Sequence, residues 1–207
     1  MGQKFSFLPE AGLLVSQIDG DKLQGFHKRG FKLGVGTHYP LRENLKVGIT
    51  TSFYKWGSTR ENRFQDKLPD GIQLEMGLNT VGLELSTLYE LPGKSLFFGF
   101  GLVHHRILDY DYRIIDNTVT VGTDPRMLDA TAVRSSMNNL KFFIGWRFST
   151  VYRFKIAYES STTDILDENF FNIARLRPYM LTFTFAYEFN PGIKRKSKGK
   201  KVRKPRK

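Results

Sequence analysis

Residues 179–189 read YMLTFTFAYEF, the clearest structural signal in the 207-residue chain. Tyr179, Leu181, Phe183, Phe185, Tyr187 and Phe189 form one alternating row, and Met180, Thr182, Thr184, Ala186 and Glu188 form the other. Successive side chains of a pleated strand point to opposite faces, so this segment has one greasy, aromatic face and one small or polar face. Helical spacing would fit neither row.

The same alternation marks residues 5–17, 30–39, 45–56, 78–91, 95–107, 138–149 and 153–160. Phe31, Leu33 and Val35 belong to the apolar row, as do Leu45, Val47 and Ile49, and Leu140, Phe142, Ile144, Trp146 and Phe148. These lengths are roughly the nine to eleven residues of a tilted membrane strand. Near Asn79 the apolar parity changes from Leu74, Met76 and Leu78 to Val81, Leu83 and Leu85, which predicts a β-bulge or the strand entrance there. Short connections at 40–44, 91–94 and 149–152 alternate with long polar ones at 18–29, 57–72, 108–137 and 161–178. That pattern predicts an all-β, eight-stranded antiparallel up-and-down transmembrane β-barrel over residues 1–190, with both termini on the short-turn side.

A soluble lipocalin-like ligand-binding barrel also alternates, but with its apolar row inside. Glycine placement favours the membrane form. Gly12, Gly34, Gly36, Gly48, Gly82, Gly99, Gly101 and Gly145 lie on the polar row, where they would open space inside a narrow barrel. The same row carries Glu10, Lys32, Lys46, Glu84, Lys141, Arg147, Lys155, Glu159 and Glu188, charges of both signs that can pair in a small lumen. The apolar row places aromatics near strand ends, as girdles require. The expected location is a bacterial outer membrane, in contact with its lipid, with the termini in the periplasm.

Composition limits the alternatives. There is no cysteine, so disulfides, thiolate nucleophiles and cysteine metal sites are excluded. No apolar run of about 18 residues could cross a membrane as a helix. Met1, Gly2, Gln3 and Lys4 lead directly into alternation without an apolar signal region, which fits either a cytosolic chain or one whose signal has been removed. The net charge of +12 is concentrated in one place: residues 194–207 hold ten of the 32 basic residues, leaving 22 against 20 acidic ones elsewhere. Residues 191–207 are expected to be a disordered basic tail. Its Lys194, Arg195, Lys196, Lys198, Lys200, Lys201, Arg203, Lys204, Arg206 and Lys207 would attract an anionic periplasmic partner or an envelope protein complex. Without interleaved stacking aromatics, nucleic acid is not expected.

Residues 12–21, GLLVSQIDGD, followed by 23–28, LQGFHK, and Gly30, resemble the opening of the PorT-like outer-membrane β-barrel family of Bacteroidota. Residues 52–58, SFYKWGS, resemble the segment that ends the third strand in that family, and the likeness runs in order from about Phe5 to Phe189. It implies an outer-membrane barrel. Residues 81–85, VGLEL, meet the family's fourth-strand pattern only loosely, and the basic tail is not a general family feature. The family name is shared with a component linked to type IX secretion and gliding, a role that fold membership does not transfer.

Candidate chemistry is sparse. His104 and His105 would suit a lipid-modifying outer-membrane enzyme only with a nucleophile and an orienting acid in reach, and adjacent strand residues face opposite sides. The competing reading is a rim histidine near the lipid interface. Asp19 with Asp21, Asp109 with Asp111, and Asp164, Asp167 and Glu168 bring carboxylates close in sequence, but none has the spacing of a full calcium loop, and turn formation explains Asp-Gly better. No phosphate-cradling glycine loop, zinc-protease motif or nucleophile elbow is present. The expectation is a non-enzymatic scaffold or surface-binding barrel without cofactor or metal, a subunit of an envelope assembly. Phe185, Tyr187 and Phe189 resemble the aromatic-terminated last strand that barrel-assembly machinery recognises.

Overall fold

The computed structural model describes residues 5–19, 26, 28–59, 72–116, 133–166 and 176–189. Eight strands follow one another: β1 (Ser6–Asp19), β2 (Lys28–Arg42), β3 (Leu45–Ser58), β4 (Ile72–Glu90), β5 (Leu96–Asp116), β6 (Ser136–Arg147), β7 (Tyr152–Ser161) and β8 (Arg177–Tyr187). Each pairs antiparallel with the next, and β8 closes on β1 to complete the barrel. Closure leaves no open sheet edge along the wall, the condition for carrying strands through a bilayer. The turns between β2 and β3, β4 and β5, and β6 and β7 are short and share one end of the barrel. Phe7 and Phe189 bridge at that same end, so both ends of the described barrel lie on the short-turn side.

The polarity is the reverse of a soluble barrel. Leu13, Phe142 and Phe185 are 71%, 60% and 62% exposed, whereas Lys32, Lys141 and Glu159 are fully buried. A lipocalin-like protein would expose the charges and bury the leucines, and this one does the opposite. The outward row of β8 from Tyr179 to Phe189 spans about 25 Å once a tilt of about 40° is allowed for, the height of a transmembrane apolar band. Aromatic pairs edge the band at both ends. Phe5 meets Tyr39, Tyr89 meets Phe98 and Tyr152 meets Tyr187 at the short-turn rim, with ring centroids 5.3, 5.5 and 5.4 Å apart. Phe31 with Phe53, and Tyr179 with both Phe26 and Tyr158, mark the other rim.

Two sequence expectations need correction at that second rim. The fourth and fifth strands were expected over 78–91 and 95–107, but β4 starts at Ile72 and β5 continues to Asp116, paired beyond the apolar band. The parity change near Asn79 is also not a break in β4. Met76 and Leu78 stay inward with Thr80, Gly82 and Glu84, so the apolar residues change face while the strand alternation continues. The bulge lies opposite, on β5: Asn79 pairs with Asp109 and Thr80 with Ile107, leaving Leu108 as the extra residue. Beyond the band the barrel has a conventional apolar interior. Leu14, Ile18, Trp56, Met76, Leu78 and Met180 pack there with Val133, Met137, Ile165, Leu166 and Leu176. Water replaces lipid outside that section, and an inward apolar core becomes the favourable arrangement.

Gly57 fixes the junction of these two regimes. Its φ of +148° and the 2.0 Å approach of an added Cβ to the Met76 carbonyl oxygen leave room for no side chain. There Ser16 Oγ donates to the Gly57 carbonyl at 2.6 Å and accepts from its N–H at 2.9 Å, joining β1 to β3 above the start of β2. Lower down, Cβ atoms added to Gly99 or Gly145 would meet the rings of Phe143 or Phe97 at 2.5 and 2.2 Å. The inward glycines provide the space those rings fill. Leu85 is outward at mid-band and 57% exposed. Leu85→Arg should impair insertion by about 2–4 kcal/mol, read as the yield of heat-modifiable barrel in lipid vesicles, whereas Glu43→Arg in an exposed turn should leave it unchanged. Equal yields would contradict a lipid-facing outer wall.

Candidate functional site

The inward rows of five strands converge on one buried chain of charges. Lys32 of β2 lies 2.5 Å from Glu10 of β1 and 3.8 Å from Glu84 of β4. Lys141 of β6 donates to Glu84 and to Glu159 of β7, each at 2.8 Å. Lys155 of β7, two strands from β1 across β8, donates to the second oxygen of Glu10 at 3.2 Å and extends the chain. Three lysines and three glutamates thus alternate across the lumen. Burying such charges costs several kcal/mol each, so each must be met at contact distance by its opposite.

Rings complete the lining. Lys32 lies 5.2 Å above Tyr54 and Lys155 lies 5.3 Å from the Phe143 ring centre. Tyr54 donates its hydroxyl to Glu159 at 3.5 Å. His105 Nε2 is 3.4 Å from the other Glu159 oxygen, while its Nδ1 is 3.2 Å from Thr80 Oγ1. Trp56 donates its indole N–H to that same threonine oxygen at 3.1 Å, linking the charged layer to the apolar mouth. Toward the short turns a second cluster forms. Glu90 accepts from Lys46 at 2.8 Å and from Arg147 and Arg153, while Arg153 Nε donates to Glu188 at 2.7 Å. Between the clusters, beside His38, Ser86 and Arg153, remains a cavity of about 20 Å³, room for about one water.

His104 and His105 do face opposite ways. His104 is outward, with Nδ1 2.8 Å from Asn138 Oδ1 at the edge of the apolar band, as the rim reading expected. His105 is not a rim residue: it is fully buried and packed edge-on against Tyr54 at 4.8 Å. An acid and a hydroxyl do lie within reach of it, but both are sealed inside the barrel, away from any lipid.

Asp109 and Asp111 both face outward on β5. Asp109 accepts from Asn79 at 3.3 Å, Asp164 accepts from Arg177 at 3.1 Å, and among the described residues no three His, Asp or Glu side chains form a cluster able to hold a metal. Asp21, Asp167 and Glu168 lie outside the described residues, as do all the basic positions from Lys194 to Lys207. Phe185, Tyr187 and Phe189 point outward at the short-turn rim and are 62%, 40% and 52% exposed. Sequence reading named Glu10, Lys32, Lys46, Glu84, Lys141, Arg147, Lys155, Glu159 and Glu188 as charges that can pair in the lumen, and the structure divides them between the two clusters. It did not pick out Arg153, Glu90 or Tyr54, and it weighed His105 only as a catalytic or rim histidine. Inward parity was the available signal: Arg153 shares the row of Lys155 and Glu159, and Glu90 that of Glu84.

No known family model matches the sequence, and no curated protein does. Solved structures that resemble the fold include Ail, the attachment invasion locus protein of Yersinia pestis, an outer membrane protein. The TM-score is 0.47 at 10% identity, over 91% of this chain and 100% of that one. Neisserial surface protein A gives 0.46 at 10% identity, over 89% and 97%. The N-terminal β-barrel domain of Pseudomonas aeruginosa OprF gives 0.42 at 12% identity, over 91% and 100%.

Proposed function

We propose that this protein is a non-enzymatic outer-membrane β-barrel, a rigid scaffold or surface-binding subunit of an envelope assembly. The observation that carries the reading is the reversed polarity: an aromatic-edged apolar wall around a fully buried, charge-paired interior. Such a wall is stable only in lipid, and such an interior passes no solute while its ion pairs hold. The long connections face the exterior in this reading, and the short turns and termini face the periplasm, as in barrels of this kind. Residues 12–30 and 52–58 support placing the chain with the PorT-like barrels of Bacteroidota. Detergent dependence is the direct test: extraction in aqueous buffer as a monodisperse protein would overturn the proposal.

Rigidity has its own test. Lys141→Ala would leave Glu84 and Glu159 buried with a partner missing, a loss of about 3–5 kcal/mol for a broken buried pair. Urea unfolding of the vesicle-reconstituted barrel should show it, and an unchanged midpoint would mean that the interior is hydrated and open.

Phe189 closes the aromatic row of the last strand, and its bridge to Phe7 fastens the barrel seam. Phe189→Ala should therefore lower the amount of heat-modifiable barrel assembled in cells. Unchanged assembly would place the signal elsewhere. The ten basic residues from Lys194 to Lys207 would emerge on the periplasmic side and hold an anionic partner, each contributing about 1 kcal/mol close to an anionic surface. Their deletion should spare assembly and abolish salt-sensitive co-purification of envelope components. Cleavage of the tail by protease on intact cells would invert the proposed orientation.

A further inference from the structure

The outer wall is not uniform. Between the outward side chains of β3, β4, β5 and β6 runs an open groove of about 420 Å³, walled by Ile49, Leu83, Leu85, Leu102 and Leu140. Its volume lies in the range of small-molecule sites, but its walls are almost wholly apolar and face where lipid would lie. Polar groups sit at its long-loop end. His104, Asn138 and Thr162 line it there, with His104 Nδ1 2.8 Å from Asn138 Oδ1 and Thr162 Oγ1 donating to the Asn138 carbonyl at 3.0 Å. One outward position further along β5 stands Arg106, exposed, donating to Ser135 Oγ at 3.1 Å. Among the described residues no carboxylate pairs with it.

The pairing register sets the height of this polar end. Leu83 pairs with His104, and His104 with Asn138. Strand tilt carries such a row upward around the barrel, so an apolar residue within the band on β4 becomes a polar one at the band's edge on β5 and β6. The groove therefore begins among hydrocarbon and ends at head-group level, beside an arginine whose charge has no acidic partner there.

We infer that this groove holds one lipid of the long-loop leaflet, an acyl chain lying along the leucines and a phosphate head group against Arg106, His104 and Asn138. Arginine with neutral hydrogen-bonding neighbours is the donor set that recognises phosphate oxygens, and an unpaired cation at the interface complements an anionic head group. The site rests on the membrane reading above.

The test reconstitutes the full chain in phosphatidylcholine vesicles with trace spin-labelled phosphatidic acid or spin-labelled phosphatidylcholine, and measures the motionally restricted fraction of each. Wild type should prefer phosphatidic acid about fivefold, the ratio expected from one basic residue near an anionic surface. Arg106→Gln should bring that preference close to unity. Leu102→Trp, which fills the groove without changing charge, should reduce it as well, and heat-modifiable migration of both variants verifies folding. A preference unchanged in Arg106→Gln would assign the selectivity to another basic region and overturn the site. Insertion of the wild type without any preference would do the same while leaving the membrane reading intact. Failure of the wild type to insert would overturn that reading and the site together.

Discussion

A closed ring of eight strands encloses a lumen only wide enough for side chains, and this protein fills it with charges. Glu10, Lys32, Glu84, Lys141, Glu159 and Lys155 are buried or largely buried away from bulk water, and each is held at contact distance from an opposite charge. Much else follows from that geometry. The inward glycines exist to admit Phe97 and Phe143, and the small serines and threonines between the charges keep the two walls close enough for lysine to reach across. With the charged groups turned inward, the wall is left mainly to aliphatic and aromatic side chains, a surface suited to lipid.

The molecule changes its solvent partway along its axis. Toward the short turns the rule is charge inside and grease outside. From the level of Trp56 and Leu78, just below Gly57, toward the long connections, Trp56, Met76, Leu78 and their neighbours form an ordinary apolar core, while Asp109 and Asp111 face outward. The bulge at Leu108 and the tight Gly57 contact lie close to this boundary, where each strand exchanges one set of requirements for the other.

Much of this was legible in the sequence because a period of two survives tilt, twist and closure. The YMLTFTFAYEF segment shows its two faces without help, and the alternation of short and long connections supplies strand number and topology. The extension of β4 and β5 was hidden for a physical reason: apolar residues switch from the outer to the inner face near Asn79, so the row that marks the strand changes parity while the backbone does not. The charged interior could be named as a set but not as pairs. Tyr54 and Glu159 are 105 residues apart and meet only because closure brings β3 and β7 to opposite sides of a narrow lumen. His105 likewise reads as a rim residue until the register turns it inward.

The central claim is that the odd-numbered row of β8 faces lipid and the even-numbered row faces the sealed interior. The chain contains no native cysteine, so single cysteines at positions 180 to 186 can each carry a nitroxide label in reconstituted vesicles without background. Power-saturation measurements with oxygen and with a water-soluble nickel chelate should then alternate strictly. Labels at 181, 183 and 185 should be accessible to oxygen and shielded from nickel, and those at 180, 182, 184 and 186 shielded from both. Nickel access along the odd row would place that face in water and contradict the transmembrane barrel.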